Sequence, residues 1–386
     1  MFVRTMLVFI GVVSLVTVSA SRPVVLSAGE LLGVGPTFES VGPIAFGPDD
    51  VLFVADNRAA TIYALEMGEW ISGDVPGTGN ISGIDRKIAA LLGTDVREIQ
   101  IGDLAVSPTS RNAFLTVSRG RGANAVPVLV RVDGGGAIDV LSLTNVHYTM
   151  VELPNPPDVH QSATGNEERP VQRRDGSWIA NARVRMQAVT DMAYTDGRLF
   201  IAGLSNEEFS SKLRSVTYPF SDVDRGTSVE IWHSAHGQFE TESPVYTFVP
   251  YQVDGERSLI AGYLCTPLVK FPVSDLKSGA KVMGQTIAEL GNRNRPLDMI
   301  VYQKKGLDYL LMSNTSRGVM KIPTRGFGVA AGVSEHVVDG GTAGVAYETV
   351  SQMTGVEQLD LLDDQHAIVI SRNDLGVASL KSVVLP

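Results

Sequence analysis

One unit recurs along this chain: a short apolar strand, a tight turn, a second apolar strand, a polar loop and a third strand. It reads PIAFGPDDVLFVADNRAATIYAL at 43–65 and DLAVSPTSRNAFLTVSRG at 103–120. It returns as DMAYTDGRLFIAGLSNEE at 191–208, DMIVYQKKGLDYLLMSNTSRGVMKI at 298–322 and QLDLLDDQHAIVISRNDLGVASL at 358–380. A degenerate copy, TFVPYQVDGERSLIAGYLCTPLVKFPV, begins at Thr247. Its Pro250 falls in the first strand, where proline is tolerated at an edge or a bulge. Self-similarity built from strands marks a radial or stacked repeat fold.

Aligned on Ile44, Leu104, Met192, Phe248, Met299 and Leu359, the copies are spaced by 60, 88, 56, 51 and 60 residues. A four-stranded blade with its loops takes about 40–50 residues. The expected fold class is therefore all-β, a β-propeller of six blades. The 88-residue interval contains the polar, proline-rich stretch NPPDVHQSATGNEERPVQRRD at 155–175. It reads as part of a long inserted loop near 146–188, or as a concealed seventh blade with strands near 147–153 and 178–186. Closing a ring removes exposed sheet edges, and the segment RPVVLSAG at 22–29 is free to complete the last blade. The only predicted helix is IDRKIAALL at 84–92, capped by Gly93.

The second strands LFVAD, AFLTVS, LFIAG, SLIAGY, YLLMS and AIVIS are almost wholly apolar, as expected for strands covered on both faces. With 44% hydrophobic residues, the chain can bury a large core. A net charge of −10 with no basic patch excludes a nucleic-acid backbone as the expected partner. At the N-terminus, Arg4 precedes an apolar run from Met6 to Val18, and Val18-Ser19-Ala20 offers small residues for cleavage. Residues 1–20 thus read as a signal peptide, and 21–386 as one propeller domain with no membrane span in the mature chain. The localisation expected is periplasmic or secreted. Cys265 is the single cysteine, so no intramolecular disulfide forms, and its apolar surroundings predict a small buried thiol.

In a propeller, the starts of the innermost strands share a face with the loops joining strands two and three. The starts carry Asp103, Asp191 and Asp298, with Glu357 or Gln358 in the last unit. The loops carry Asn57, Arg58, Arg119, Asn206, Asn314, Arg317 and Arg372. One channel mouth is therefore expected to present carboxylates beneath an outer set of Asn and Arg. Three readings are open. The Asp residues cap backbone N–H groups and pair with the arginines. They hold Ca²⁺ or another divalent cation, which takes six to eight oxygens. Or the arginines face an anionic ligand. Separately, His233 and His236 in the sequence HSAH, with Glu240 and Glu242 nearby, are candidates for Zn²⁺ or Cu²⁺. Two arginine-rich loops, SRGRG at 118–122 and GNRNRP at 291–296, are the sharpest local charge features. No phosphate-binding loop, serine nucleophile elbow or zinc-protease signature is present.

The pattern G-x-I/L-A-F/V, turn, L-F/Y-V-A-D resembles the NHL-repeat and the regucalcin/gluconolactonase propellers, a six-bladed, TolB-like group. PIAFGPDDVLFVADNRAATIYAL carries the likeness best, and it runs weakly from 43 to 380. In the lactonase branch, the resemblance implies a divalent metal in the channel, held by Glu and Asn/Asp. The matching positions here are Gly102, Thr190 and Leu297, with the Asp one residue later. The sequence thus predicts an exported binding or interaction module, with a small molecule or a protein as partner at the channel face. The alternative is a divalent-metal-dependent, lactonase-like hydrolase.

Overall fold

The computed structural model of the chain describes residues 25–26, 35–71, 77–160, 171–172, 178–179, 184–221 and 223–386. Six blades form a ring. Their innermost strands are Ile44–Phe46, Ile99–Val106, Asp191–Thr195, Thr247–Val253, Pro296–Lys304 and Val356–Leu361. The signal segment at 1–20 and residues 161–170, 173–177 and 180–183 of the predicted long loop lie outside the described residues.

The middle of each second strand is apolar because its two faces serve two interfaces. In Val51–Asp56, Phe53 and Ala55 pack with Met192, Leu199 and Ile201 of the third blade. Leu52 and Val54 pack with Ala105, Phe114 and Leu129 of the second. The same alternation recurs around the ring, and six apolar clusters fill the six gaps between blades. Burying one such large side chain is worth roughly 1.5–3 kcal/mol, so the core is a property of neighbouring pairs of blades. Hairpin turns at Asp196-Gly197, Asp254-Gly255 and Lys305-Gly306 place both central residues at positive φ. That geometry matches the twist of the flanking strands.

The order of blades around the ring departs from their order in the chain. The second blade packs on the first and on the sixth, while the first packs on the second and the third. After its first blade the chain crosses to the edge of the sixth, where Ile81–Ser82 pairs with Ser379 and Leu380. The helix Ile84–Leu91 follows, and its Ile84 and Ile88 pack among Ile368, Ile370, Ala378 and Leu380. The chain then builds the second blade and returns to complete the first with Tyr148–Glu152, which pairs along Thr61–Leu65.

This topology corrects two expectations. The last blade is completed by Ile81–Ser82 rather than by the segment at 22–29. Within that segment, Val25–Leu26 pairs with Met150 and Val151 at the outer edge of the first blade. Residues 81–82 reach the sixth blade because the helix that follows them is anchored there. The strand near 147–153 belongs to the first blade, and among the described residues Trp178–Ile179 pairs only with Val171–Gln172. They therefore do not form a seventh blade.

Candidate functional site

The structure gathers Asp103, Asp191 and Asp298 on one cavity of about 260 Å³ at the channel mouth, together with Asn57, Thr190 and Arg295. Each carboxylate does the same local work. One oxygen accepts the N–H of the next residue: Leu104 to Asp103 at 2.8 Å, Met192 to Asp191 at 2.7 Å, Met299 to Asp298 at 2.8 Å. The other accepts an N–H from the adjoining blade: Ile44 to Asp103 at 2.7 Å, Phe248 to Asp191 at 2.7 Å, Leu359 to Asp298 at 2.8 Å. A fourth, Asp360, bridges Leu361 and Val106 in the same way at 2.7 Å each. All four links point in one rotational sense around the ring. At the junction of the first and third blades Asn57 takes over, its Oδ1 accepting the Val189 N–H at 2.7 Å.

Asp360 replaces the expected Glu357 or Gln358. It lies two residues further along its strand than the aligned position, and so does its partner Val106 compared with Leu104. Glu357 instead pairs with Arg372 at 3.0 Å.

Burial in the narrow channel drives these carboxyls toward their neutral form. Asp103 is raised to about 7, chiefly by burial, with the backbone donors opposing and Asp191 and Asp360 adding to the rise. Asp191 is raised to about 7 by burial against its own donors. Asp360 is raised to about 6 in the same way. Asp298 is raised well above the usual range, first by burial and then by Asp103. By accessible surface all four are half-buried, because the narrow channel opens onto them while protein encloses their other sides.

The positions that the lactonase likeness assigns to the channel metal carry few oxygen donors. Each Asp oxygen accepts one backbone N–H and keeps a second lone pair. Gly102, Thr190 and Leu297 do line the cavity. The first and last carry no side-chain oxygen, and Thr190 Oγ1 donates to the Val245 carbonyl.

A second cavity of about 210 Å³ adjoins the first, and Gly102, Arg295, Leu297 and Gln358 line both. Asn314 and Arg372 line it as well. Arg372 is bound to Glu357 and Asp85, and Asn314 Oδ1 accepts the Arg317 N–H at 2.8 Å. Arg295 stands between the two cavities. Its guanidinium lies 4.2 Å over the Tyr246 ring, and its buried Nε has no hydrogen-bond acceptor. The sequence signal for it was the loop GNRNRP. The remaining candidates line neither cavity. Arg58 reaches the Gly122 carbonyl, Arg119 the Leu92 carbonyl and Arg317 the Asn292 carbonyl, while Asn206 is exposed.

His233 and His236 meet at the end of strand Thr227–His233, beyond the edge of the third blade. Their rings are 3.8 Å apart between centroids. Both Nδ1 atoms share the Glu240 carboxylate, at 2.6 Å from His233 and 2.5 Å from His236. Glu242 takes no part in this pairing. The fourth blade adds Cys265, held at φ +61° in the turn between its second and third strands. One ligating atom from each of His233, His236 and Cys265 lies within 4.8 Å of the other two. Cys265 is thus half-buried beside two imidazoles, which corrects its reading as an ordinary apolar thiol.

Hydrogen bonds between opposite charges set the titration here. Hydrogen bonds with Cys265 and Glu240, and then their negative charge, raise His236 to about 10. Burial works against His233, but Cys265 and Glu240 still raise it. Burial likewise opposes ionisation of Glu240 and Cys265, yet the imidazoles pull the carboxyl down to about 2 and the thiol to about 6. Behind them, burial raises Glu289 to about 7 while it accepts the Ala235 N–H.

No family model matches the chain, and comparison with curated proteins finds no match. Among solved structures, the chain is similar to the PQQ-bound aldose sugar dehydrogenase of Streptomyces coelicolor. Identity is 12% over 94% of this chain and 99% of that one, with a TM-score of 0.29. Virginiamycin B lyase from Staphylococcus aureus shares 9% over 94% and 99%, with a TM-score of 0.33. The plexin A4 extracellular region shares 10% over 90% of this chain and 47% of that one, with a TM-score of 0.39. These values carry no chemistry across, and the propeller assignment rests on the six blades themselves.

Proposed function

We propose that this chain is an exported binding propeller that takes a small anionic molecule at the channel mouth, with Arg295 as the recognising cation. The observation that carries this reading is the placement of Arg295. A guanidinium braced over the Tyr246 ring, between two adjoining cavities and without a carboxylate partner among the described residues, is placed for an incoming carboxylate or phosphate. The protonatable Asp residues beneath it place hydrogen-bond donors, in their neutral form, within the same cavity. Export is supported by the apolar run Met6–Val18 with its small-residue boundary, and among the described residues no helix is long and apolar enough to cross a membrane. The likeness to the NHL-repeat and regucalcin propellers supports the TolB-like assignment. The alternative is a divalent-metal hydrolase, and of its aligned ligand positions Gly102 and Leu297 carry no side-chain oxygen.

The test is a thermal-shift screen of small carboxylates and phosphate esters on the mature protein, with Arg295→Ala alongside. A ligand at 100 times its Kd stabilises the native state by about 2.7 kcal/mol. An anion that shifts the wild type and not the variant is the expected result. Equal shifts in both, or a response to Ca²⁺ removed by EDTA with none to anions, overturns the reading.

A further inference from the structure

We propose that His233, His236 and Cys265 form a transition-metal site, a three-ligand N₂S set for an ion of the zinc and copper class. It is separate from the channel cavities and spans the third and fourth blades. The geometry has the parts such a site needs. Glu240 accepts from Nδ1 of both imidazoles, which fixes Nδ1–H and leaves Nε2 as the ligating atom on each ring. A carboxylate behind a ligating histidine orients the ring and raises its basicity, and here one carboxylate serves two. His233 is 1% exposed, and its Nε2 is buried beside the Cys265 thiol with no hydrogen bond of ordinary geometry among the described residues. A buried imidazole nitrogen left in that state is costly unless something occupies it.

The donor chemistry selects the ion. Thiolate with imidazole suits Zn²⁺ and copper and disfavours Ca²⁺ and Mg²⁺, which take hard oxygen ligands. Zn–N near 2.0–2.1 Å and Zn–S near 2.3 Å place tetrahedral ligand atoms roughly 3.4–3.6 Å apart. Atoms already within 4.8 Å need to close by about an ångström. Binding displaces the thiol proton to solvent. His236 and Cys265 are only half-buried, so an ion can enter and a fourth position stays open to water. Glu289, behind the turn, holds the Ala235 N–H at 3.2 Å and fixes the backbone between the two histidines.

The experiment uses the mature protein stripped of metal and titrated with Zn²⁺, then with Co²⁺ as a spectroscopic probe. One equivalent of each is expected to bind, with a thiolate-to-cobalt charge-transfer band in the near ultraviolet. Cys265→Ser should abolish the band. Glu240→Gln, which keeps the ligands but loosens their orientation, should weaken Zn²⁺ about 10–100-fold. His236→Ala is the control for folding, being half-exposed: it should keep its melting transition and lose Zn²⁺ binding. Ca²⁺ should compete at neither ion. No Zn²⁺ binding at micromolar free metal overturns the proposal, as does undiminished binding by folded Cys265→Ser and His236→Ala. Loss of Zn²⁺ binding in Arg295→Ala would place the metal in the channel, and would overturn it equally.

Discussion

The channel mouth and the His233 turn handle buried charge in opposite ways. At the mouth, four carboxylates gather with uncharged donors, chiefly backbone N–H groups, on their oxygens, and each is pushed toward its neutral form. At the turn, one carboxylate meets two imidazoles and is pulled to about 2. Burial opposes ionisation in both places, so the partner decides the outcome. Dipoles satisfy an oxygen's hydrogen-bonding capacity without repaying its lost hydration in full, whereas a fixed cation does. The first arrangement serves architecture, because a neutral or ionised Asp can bridge two blades. The second concentrates charge and nucleophilic atoms at one point, as binding chemistry requires.

Removing the acidic partner from the turn should be the most damaging change. Glu240→Ala leaves His233 buried without its partner and should cost roughly 3–5 kcal/mol in denaturant unfolding at neutral pH. A loss below about 1 kcal/mol would mean that the ion pair is not what holds the turn. Next comes Asp191→Ala, which orphans the N–H groups of Met192 and Phe248 and should cost about 2–4 kcal/mol. Asp191→Asn keeps one acceptor and should lose about half as much. If Asn and Ala behave alike, the link between blades is not made by hydrogen bonds.

The pH dependence sharpens the contrast on a smaller scale. Asp103 titrates at about 7 in the fold against a usual 3.8, so its protonation stabilises the native state. That contribution is complete below about 3.8 and disappears as pH rises through 7. The groups that face it are Asp191, Asp298, Asp360 and Arg295. Melting temperature should therefore fall from pH 5 to pH 8, and Asp103→Asn should flatten that limb by on the order of 1 kcal/mol. An unchanged slope would show that Asp103 is ionised throughout. Smallest in stability, Arg295→Lys should shift unfolding by less than about 0.5 kcal/mol while removing the response to anions. A large destabilisation would make Arg295 a structural brace on Tyr246.

The repeats were legible because a strand covered on both faces must be apolar throughout, as in LFVAD and YLLMS. The hairpins were legible because Asp-Gly and Lys-Gly supply the positive φ they need. Convergence of Asp103, Asp191 and Asp298 followed from placing equivalent positions around one axis. Asp360 escaped because it and Val106 sit two residues deeper than the aligned pair. Cys265 escaped for another reason: it lies in a different blade from His233, and no spacing within one segment encodes a contact across an interface. The exchange of the first two blades is likewise invisible locally, since each blade has an ordinary sequence and only the clusters between blades fix the order.

The interleaved path of the N-terminal third also constrains how the molecule assembles. Val106 awaits Asp360, 254 residues away, and Ser382 donates its N–H to Asn80 across 302 residues. Until the end of the chain has been synthesised, the second blade has one flank open and the strand at 81–82 has no sheet to join. The third to fifth blades can associate with neighbours as they emerge, but the opening segments must be kept unpaired until the end arrives. Slow, late closure follows from contacts so distant in sequence. Loss of the last few residues would leave two ends of the circle unsealed at once, so a short truncation should act on distant parts of the chain, not on its own edge alone.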